Sequence, residues 1–91
     1  MDISELYNVI LDRKTNPKSG SYTNSLFDAG LLHIVQKVGE EGTEVIVAAL
    51  SQENDRLIEE IADLTYHVLV LMAAKGVMPT DVAGELEKRH K

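Results

Sequence analysis

Apolar residues recur at helical spacing along nearly the whole chain. Ile3, Leu6, Tyr7, Ile10 and Leu11 fall on one face of a helix over residues 3–13, with Asp2 or Ser4 placed to cap its start. Thr15–Thr23, reading TNPKSGSYT, breaks the pattern with Asn16-Pro17 and Ser19-Gly20, both turn-forming pairs. A loop of this length in a small chain is either mobile or functional. A short turn of helix is expected at Asn24–Asp28, closed by Gly30. Leu31, Ile34, Val35, Val38, Val45, Ile46 and Ala49 then mark one stripe of a long helix running to about Leu50. After a polar break at Ser51–Asp55, with Asn54 or Asp55 as cap, a second long helix carries the stripe Leu57, Ile61, Leu64, Val68, Leu71 and Met72. It reaches Lys75, where Gly76 stops it. Met78-Pro79-Thr80-Asp81 reads as a turn with a capped start. A final helix through Val82 and Leu86 ends on Lys88-Arg89-His90-Lys91, cations that suit the negative end of the helix dipole.

These elements predict an all-α fold, a helical hairpin with flanking N- and C-terminal helices, in a single domain over residues 1–91. No internal repeat, low-complexity stretch or linker divides it. Beside the stripe of the second long helix run Arg56, Glu60, Asp63 and His67, and further on this strip becomes Val70 and Ala74. The last turns are therefore apolar nearly all round, which requires burial on more than one side. One hairpin cannot cover both sides, and at 91 residues the chain has a size that often leans on a partner subunit. The expected assembly is a dimeric helix bundle, a homodimer or a higher homo-oligomer.

Composition narrows the class. There is no cysteine, which excludes disulfides, cysteine-ligated zinc and a thiol nucleophile and fits a reducing cytoplasm. Fifteen acidic against nine basic residues give a net charge of -6, and the cations are scattered, so a nucleic-acid backbone is not an expected partner. The most apolar run, Val68–Ala74, is far short of the ~20 residues of a membrane span. The N-terminus MDISELYNVILDRK lacks the apolar core and cleavage site of a secretory signal. A cytoplasmic protein without a membrane partner is the expectation.

The acids change the picture most. Glu41 and Glu44 stand one turn apart in the first arm, Glu60 and Asp63 one turn apart in the second, and a hairpin brings the two pairs opposite each other. On a wheel with Glu41 at zero, the apolar stripe centres near ~80° and Glu44 falls near ~300°, with Lys37 and Ala48 between the two acids. Glu41 thus borders the stripe and Glu44 stands a step outside it. Two unit charges ~4 Å apart repel by about 4 kcal/mol at an effective dielectric of ~20. Without a cation this repulsion splays the hairpin or protonates an acid. Carboxylate oxygens are hard ligands, suited to magnesium, with manganese as the alternative. Against this stands an ordinary solvated face, in which Lys37 and Arg56 pair with the glutamates at helical spacing.

KVGEEGTEV and EEIADLTYHVLVLMAAKGV, preceded by GSYTNSLFDAG and closed by ELEKRH, resemble the phosphoribosyl-ATP pyrophosphohydrolase family, the second enzyme of histidine biosynthesis, from Leu6 to His90. Glu41-x-x-Glu44 and Glu60-x-x-Asp63 are similar to the signature of the wider all-α nucleotide pyrophosphohydrolase superfamily. The Ser21-Tyr22-Thr23 loop, the Leu26-Phe27 pair and Arg89-His90 point to the histidine branch. The resemblance implies hydrolysis between the α and β phosphates of phosphoribosyl-ATP, giving phosphoribosyl-AMP and pyrophosphate. Glu41, Glu44, Glu60 and Asp63 are then the metal ligands and catalytic groups, one of them doubling as base for water. Lys37, Ser21, Tyr22, Thr23 and Arg89 are the expected substrate contacts. Glu40 is expected outside the ligand set, and His67 as a satisfied core residue, with support of the ligands as the alternative. Arg89 and His90 either reach phosphate or complement the helix end. Gly42 departs from the usual family pattern and costs the helix up to ~1 kcal/mol against alanine. The cyclohydrolase that acts next is expected on another chain. Two other readings stand beside this one: a house-cleaning nucleoside triphosphate pyrophosphohydrolase with the same metal chemistry, and a non-catalytic helical dimerisation module whose acids only solubilise it.

Overall fold

The computed structural model describes residues 1–51 and 53–90. They form α1 (Ile3–Thr15), α2 (Tyr22–Ala29), α3 (Leu31–Ser51), α4 (Asn54–Lys75) and α5 (Pro79–Arg89), with no strand among the described residues. This is the all-α hairpin with flanking helices that the periodicity predicts. Gln52, inside the expected polar break, and Lys91, at the basic end, lie outside the described residues.

Helix ends follow local chemistry. Asp2 accepts from the Glu5 N–H at 2.8 Å while Glu5 accepts from the Asp2 N–H at 3.2 Å, a reciprocal cap that starts α1. Helix α2 begins earlier than expected. Ser21 is its cap, with Oγ accepting from the Asn24 N–H at 3.2 Å, so Tyr22 and Thr23 form a helical turn rather than loop. Asn24 makes this start possible. Buried, it accepts from the Lys18 N–H at 2.8 Å and donates to the Arg13 carbonyl at 2.7 Å, which pins the preceding loop to the end of α1. The cap of α4 also differs from expectation. Glu53 holds that position without a side-chain bond, and Asn54 and Asp55 lie in the first turn, where Asp55 still meets the positive helix end. At the far end Gly76 adopts φ 72°, and the N–H groups of Gly76 and Val77 close on the carbonyls of Ala73 and Met72.

Helices α3 and α4 pack as the hairpin, with α1 against α4 and α2 against both arms. Tyr7, Ile10, Leu26, Ile34, Leu69, Val70 and Ala73 form the core at the open end of the hairpin. Two polar ties secure it: the Tyr7 hydroxyl donates to the Val77 carbonyl at 2.6 Å, and the Lys14 ammonium donates to the Ala73 carbonyl at 2.9 Å, one of the orphan acceptors at the end of α4. Helix α5 turns 105° from α4 and packs on α1. Between α5 and α4 lies an apolar groove of ≈ 380 Å³ lined by residues that include Ile3, Leu64, Val68, Met72, Val82 and Leu86. No single helix among the described residues is long and apolar enough to cross a membrane.

The inward faces are not the most apolar ones. In α3 the buried line is Ile34, Glu41 and Ala48, and in α4 it is Glu60, His67, Leu69, Val70 and Ala73. Val35, Ile46 and Ile61, all members of the predicted stripes, face outward at 47%, 60% and 46% exposure. The core holds Ile34 and Val70 in place, and residues seven positions along share nearly the same face, about 20° short of two full turns. Glu41 follows from Ile34 by this rule and Glu60 from His67.

Candidate active site

Down the hairpin from the core, Glu41 and Glu60 are only 7% and 6% exposed. With Asp63, one turn beyond Glu60, they bring three carboxylate oxygens within 4.8 Å of one another. Each buried glutamate gives one oxygen to a cation of its own helix. Lys37 Nζ lies 3.5 Å from Glu41 Oε1, and Arg56 Nη2 lies 3.0 Å from Glu60 Oε1. The second oxygen of each, Glu41 Oε2 and Glu60 Oε2, is buried without a hydrogen-bond partner. Orphaned carboxylate oxygens are costly in a protein interior. Two of them beside Asp63 have the donor chemistry that a hard divalent cation takes.

Glu44 approaches Glu60 from the side. Together with Val47 and Arg56 these acids line a hollow of ≈ 200 Å³. The Glu60 carboxyl is held above the usual carboxylate range, first by the close approach of the Glu44 carboxyl, then by burial and the Glu44 charge, with Arg56 pulling the other way. Lys37 is held above the usual lysine range. Burial lowers it, and the Glu40 hydrogen bond with the charges of Glu40 and Glu41 more than offsets that. Glu40 is exposed and pulled down by hydrogen bonds from Gln36 and Lys37. It restrains Lys37 and stands outside the oxygen cluster, as expected.

The other expected site residues divide into two groups. Ser21, Tyr22 and Thr23 sit where α2 meets α4. The Tyr22 hydroxyl lies 3.0 Å from His67 Nε2, and the Thr23 hydroxyl bonds the Tyr66 hydroxyl. His67 Nδ1 lies 2.7 Å from the Asp63 carbonyl. A carbonyl only accepts, so Nδ1 carries the proton and Nε2 accepts from Tyr22. His67 is the satisfied, buried residue expected, and it also ties α2 to the turn that carries Asp63. Arg89 lies elsewhere. It is exposed, donates to Glu85 at 3.0 Å, and rides on α5, which packs on α1. Arg89 and His90 stand at the C-terminal end of α5.

Arg56 and Asn24 had no functional part in the sequence reading. For Arg56 a signal was available. KVGEEGTE (Lys37–Glu44) and RLIEEIAD (Arg56–Asp63) share the order basic, two residues, two glutamates, two residues, acid. Each basic residue grips both glutamates: Lys37 at 3.3 Å and 3.5 Å from Glu40 and Glu41, Arg56 on Glu59 and at 3.0 Å from Glu60. Asn24 offered no such signal, because its partners are backbone groups brought together only by the fold.

Fold and site define an all-helical protein whose hairpin carries a carboxylate cluster, two of its three acids buried, suited to a hard cation. Residues 3–90 match the family described as phosphoribosyl-ATP pyrophosphohydrolase. The chain is 57% identical over 89 residues to a phosphoribosyl-ATP pyrophosphatase of Clostridium novyi, covering 98% of this chain and 81% of that one. It is 55% identical to one from Sulfurisphaera tokodaii, covering 98% and 95%. It is 52% identical to one from Sulfolobus acidocaldarius, covering 98% and 94%. The chain belongs to the phosphoribosyl-ATP pyrophosphohydrolase family.

Proposed function

We propose that the protein hydrolyses phosphoribosyl-ATP to phosphoribosyl-AMP and pyrophosphate, the second step of L-histidine biosynthesis, with magnesium as its cation and manganese as the substitute. The observation that carries this beyond family membership is the pair of orphaned oxygens, Glu41 Oε2 and Glu60 Oε2, beside Asp63. Glu41, Glu60 and Asp63 would hold the cation, with Glu44 as a fourth carboxylate beside them. When bound, the cation would supply charge neutralisation of phosphate oxygens and orientation of the attacking water. That role matters here because a chain of net charge -6 must receive a polyanion.

The protein's own groups do the rest. Glu44, exposed and beside Glu60 on the rim of the same hollow, is the acid best placed to accept a proton from water. Lys37 exchanges Glu40 for a substrate phosphate, as a point charge. Ser21, Tyr22 and Thr23 form the substrate-facing start of α2. Arg89 contributes only from a second copy, since its own helix packs on α1. A homodimer covers the outward apolar residues Val35, Ile46 and Ile61 and makes the dimeric bundle. The enzyme works in the cytoplasm, binds neither nucleic acid nor membrane, and passes its product to a cyclohydrolase on a separate chain.

The test is incubation with phosphoribosyl-ATP and a panel of nucleoside triphosphates, with and without magnesium, followed by product identification. Phosphoribosyl-AMP and pyrophosphate are expected, from phosphoribosyl-ATP and only with the cation. Release of orthophosphate would overturn the assigned bond cleavage, and faster turnover of ordinary triphosphates would overturn the substrate. Light scattering checks the dimer, and a monomeric mass removes it.

A further inference from the structure

Tyr22 is the exposed aromatic ring of the described chain, at 52%, whereas Tyr7 is buried and Phe27 and Tyr66 are half-buried. Its hydroxyl is already engaged, donating to His67 Nε2 at 3.0 Å. His67 in turn is 5% exposed and fixed through Nδ1 to the Asp63 carbonyl, so the imidazole cannot turn away. What Tyr22 offers a ligand is therefore its ring. Tyr66 covers one face, with centroids 6.1 Å apart and planes at 25°, and is itself held by the Thr23 hydroxyl. Tyr22 borders a hollow of ≈ 510 Å³ whose rim includes Lys18, Ser19, Ser25 and Asp28 and in which Tyr66 takes no part. That hollow has room for a purine and polar groups to meet its edge.

We propose that the Tyr22 ring is the platform on which the purine base of the nucleotide stacks, with His67 as the residue that positions it. This rests on the nucleotide-hydrolase reading above. The ring is in the right neighbourhood because His67 links its hydroxyl to the backbone of Asp63, one of the three clustered acids. A base over Tyr22 therefore leaves the phosphates of the same molecule within reach of the carboxylate cluster. A ring restrained on one face and at its hydroxyl loses little freedom when a base covers the other face.

Calorimetry on the full chain with magnesium, using AMP, ribose 5-phosphate and pyrophosphate as probes, tests the platform. Tyr22→Leu should weaken AMP at least ~10-fold, the scale of one lost stacking contact, and leave pyrophosphate within about twofold. Tyr22→Phe keeps the ring and should fall between wild type and Tyr22→Leu. The double variant Tyr22→Phe with His67→Asn should be no worse than the worse single one, because the two groups act through one bond. Without tryptophan in the chain, AMP should also quench tyrosine emission in wild type and not in Tyr22→Leu. If Tyr22→Leu does not fold, Tyr22→Trp should bind AMP at least as tightly as Tyr22→Phe, and weaker binding would overturn the proposal. An equal loss for ribose 5-phosphate or pyrophosphate would overturn it too, by making the ring a sugar or phosphate contact. Unchanged AMP binding by Tyr22→Leu, in an enzyme whose wild type turns over phosphoribosyl-ATP, sinks the platform alone. Wild-type AMP binding that Tyr22→Leu weakens, without turnover of phosphoribosyl-ATP, supports the platform and sinks the assigned reaction.

Discussion

Lys37–Glu44 and Arg56–Asp63 are written alike, yet the hairpin uses them differently. In both, a basic residue grips two glutamates and the second of these is buried. They part at the last acid. Asp63 joins Glu41 and Glu60 in the oxygen cluster, whereas Glu44, one methylene longer, meets Glu60 from the side and helps raise its carboxyl. They part also on the outside, where α3 has Gly39 and Gly42 in the places that α4 fills with Ile58 and Ile61. The same local order sets carboxylates in register on both helices. The length of the final acid and its neighbours decide which one joins the oxygen cluster and which stands beside it.

The largest effects should come from the buried acids. Glu41→Gln and Glu60→Gln each remove a charged ligand, and kcat/KM should fall at least ~10³-fold with loss of magnesium binding by calorimetry. The two should separate in melting of the cation-free protein. Glu60→Gln raises Tm by removing the crowded acid, while Glu41→Gln lowers it by taking a partner from Lys37. Equal shifts would erase the asymmetry between the arms.

Next come the outer acids. Glu44→Gln should lower kcat by roughly 10²-fold or more as a lost base, with a smaller loss of magnesium affinity than Asp63→Asn. Asp63→Asn should weaken the cation at least ~10-fold. The reverse pattern would exchange their roles.

The proton on Glu60 provides a third comparison. Its folded-state carboxyl is raised, so its contribution to stability is fully present below the unfolded-chain value and is lost as pH rises through the folded value. In cation-free protein the Tm advantage of Glu60→Gln over wild type should therefore shrink on mild acidification from neutrality, as measured by calorimetric melting. A widening gap would mean that the fold prefers ionised Glu60. Magnesium at ~100 times its Kd should raise the wild-type Tm by roughly 10 °C at neutral pH.

The smallest effect concerns the glycines. A Cβ at Gly42 meets nothing within 4 Å, so Gly42→Ala should add about 0.5–1 kcal/mol in denaturant unfolding. A variant that is instead less active, or altered in assembly, would show that a second copy or substrate covers this face.

Much of this was legible before folding. Gly30 and Gly76 closed the helices that periodicity placed before them, and both adopt the positive φ that glycine permits. The carboxylate spacings and the ordering of Glu41 and Glu60 as inner, Glu44 and Asp63 as outer, also stood in the pattern. The start of α2 was misjudged because TNPKSGSYT carries turn composition throughout, and only the burial of Asn24 against Lys18 and Arg13 shows where the turn ends. The inner sides of α3 and α4 were misjudged because a wheel ranks faces by apolarity.

By itself, then, the sequence determined that the chain is helical, where most of its helices stop, and which acids share a helical turn. Periodicity, caps and glycine conformations act within a turn or two, so they can be read locally. Only the tertiary structure decided which face each arm turns inward, that Glu41 and Glu60 are buried, and that His67 and Tyr22 join across 45 residues. Those outcomes depend on α1 and α2 holding Ile34 and Val70 in one core. Once that core is set, Glu41 follows inward from Ile34 by helical register and Glu60 from His67, against the preference of their charges.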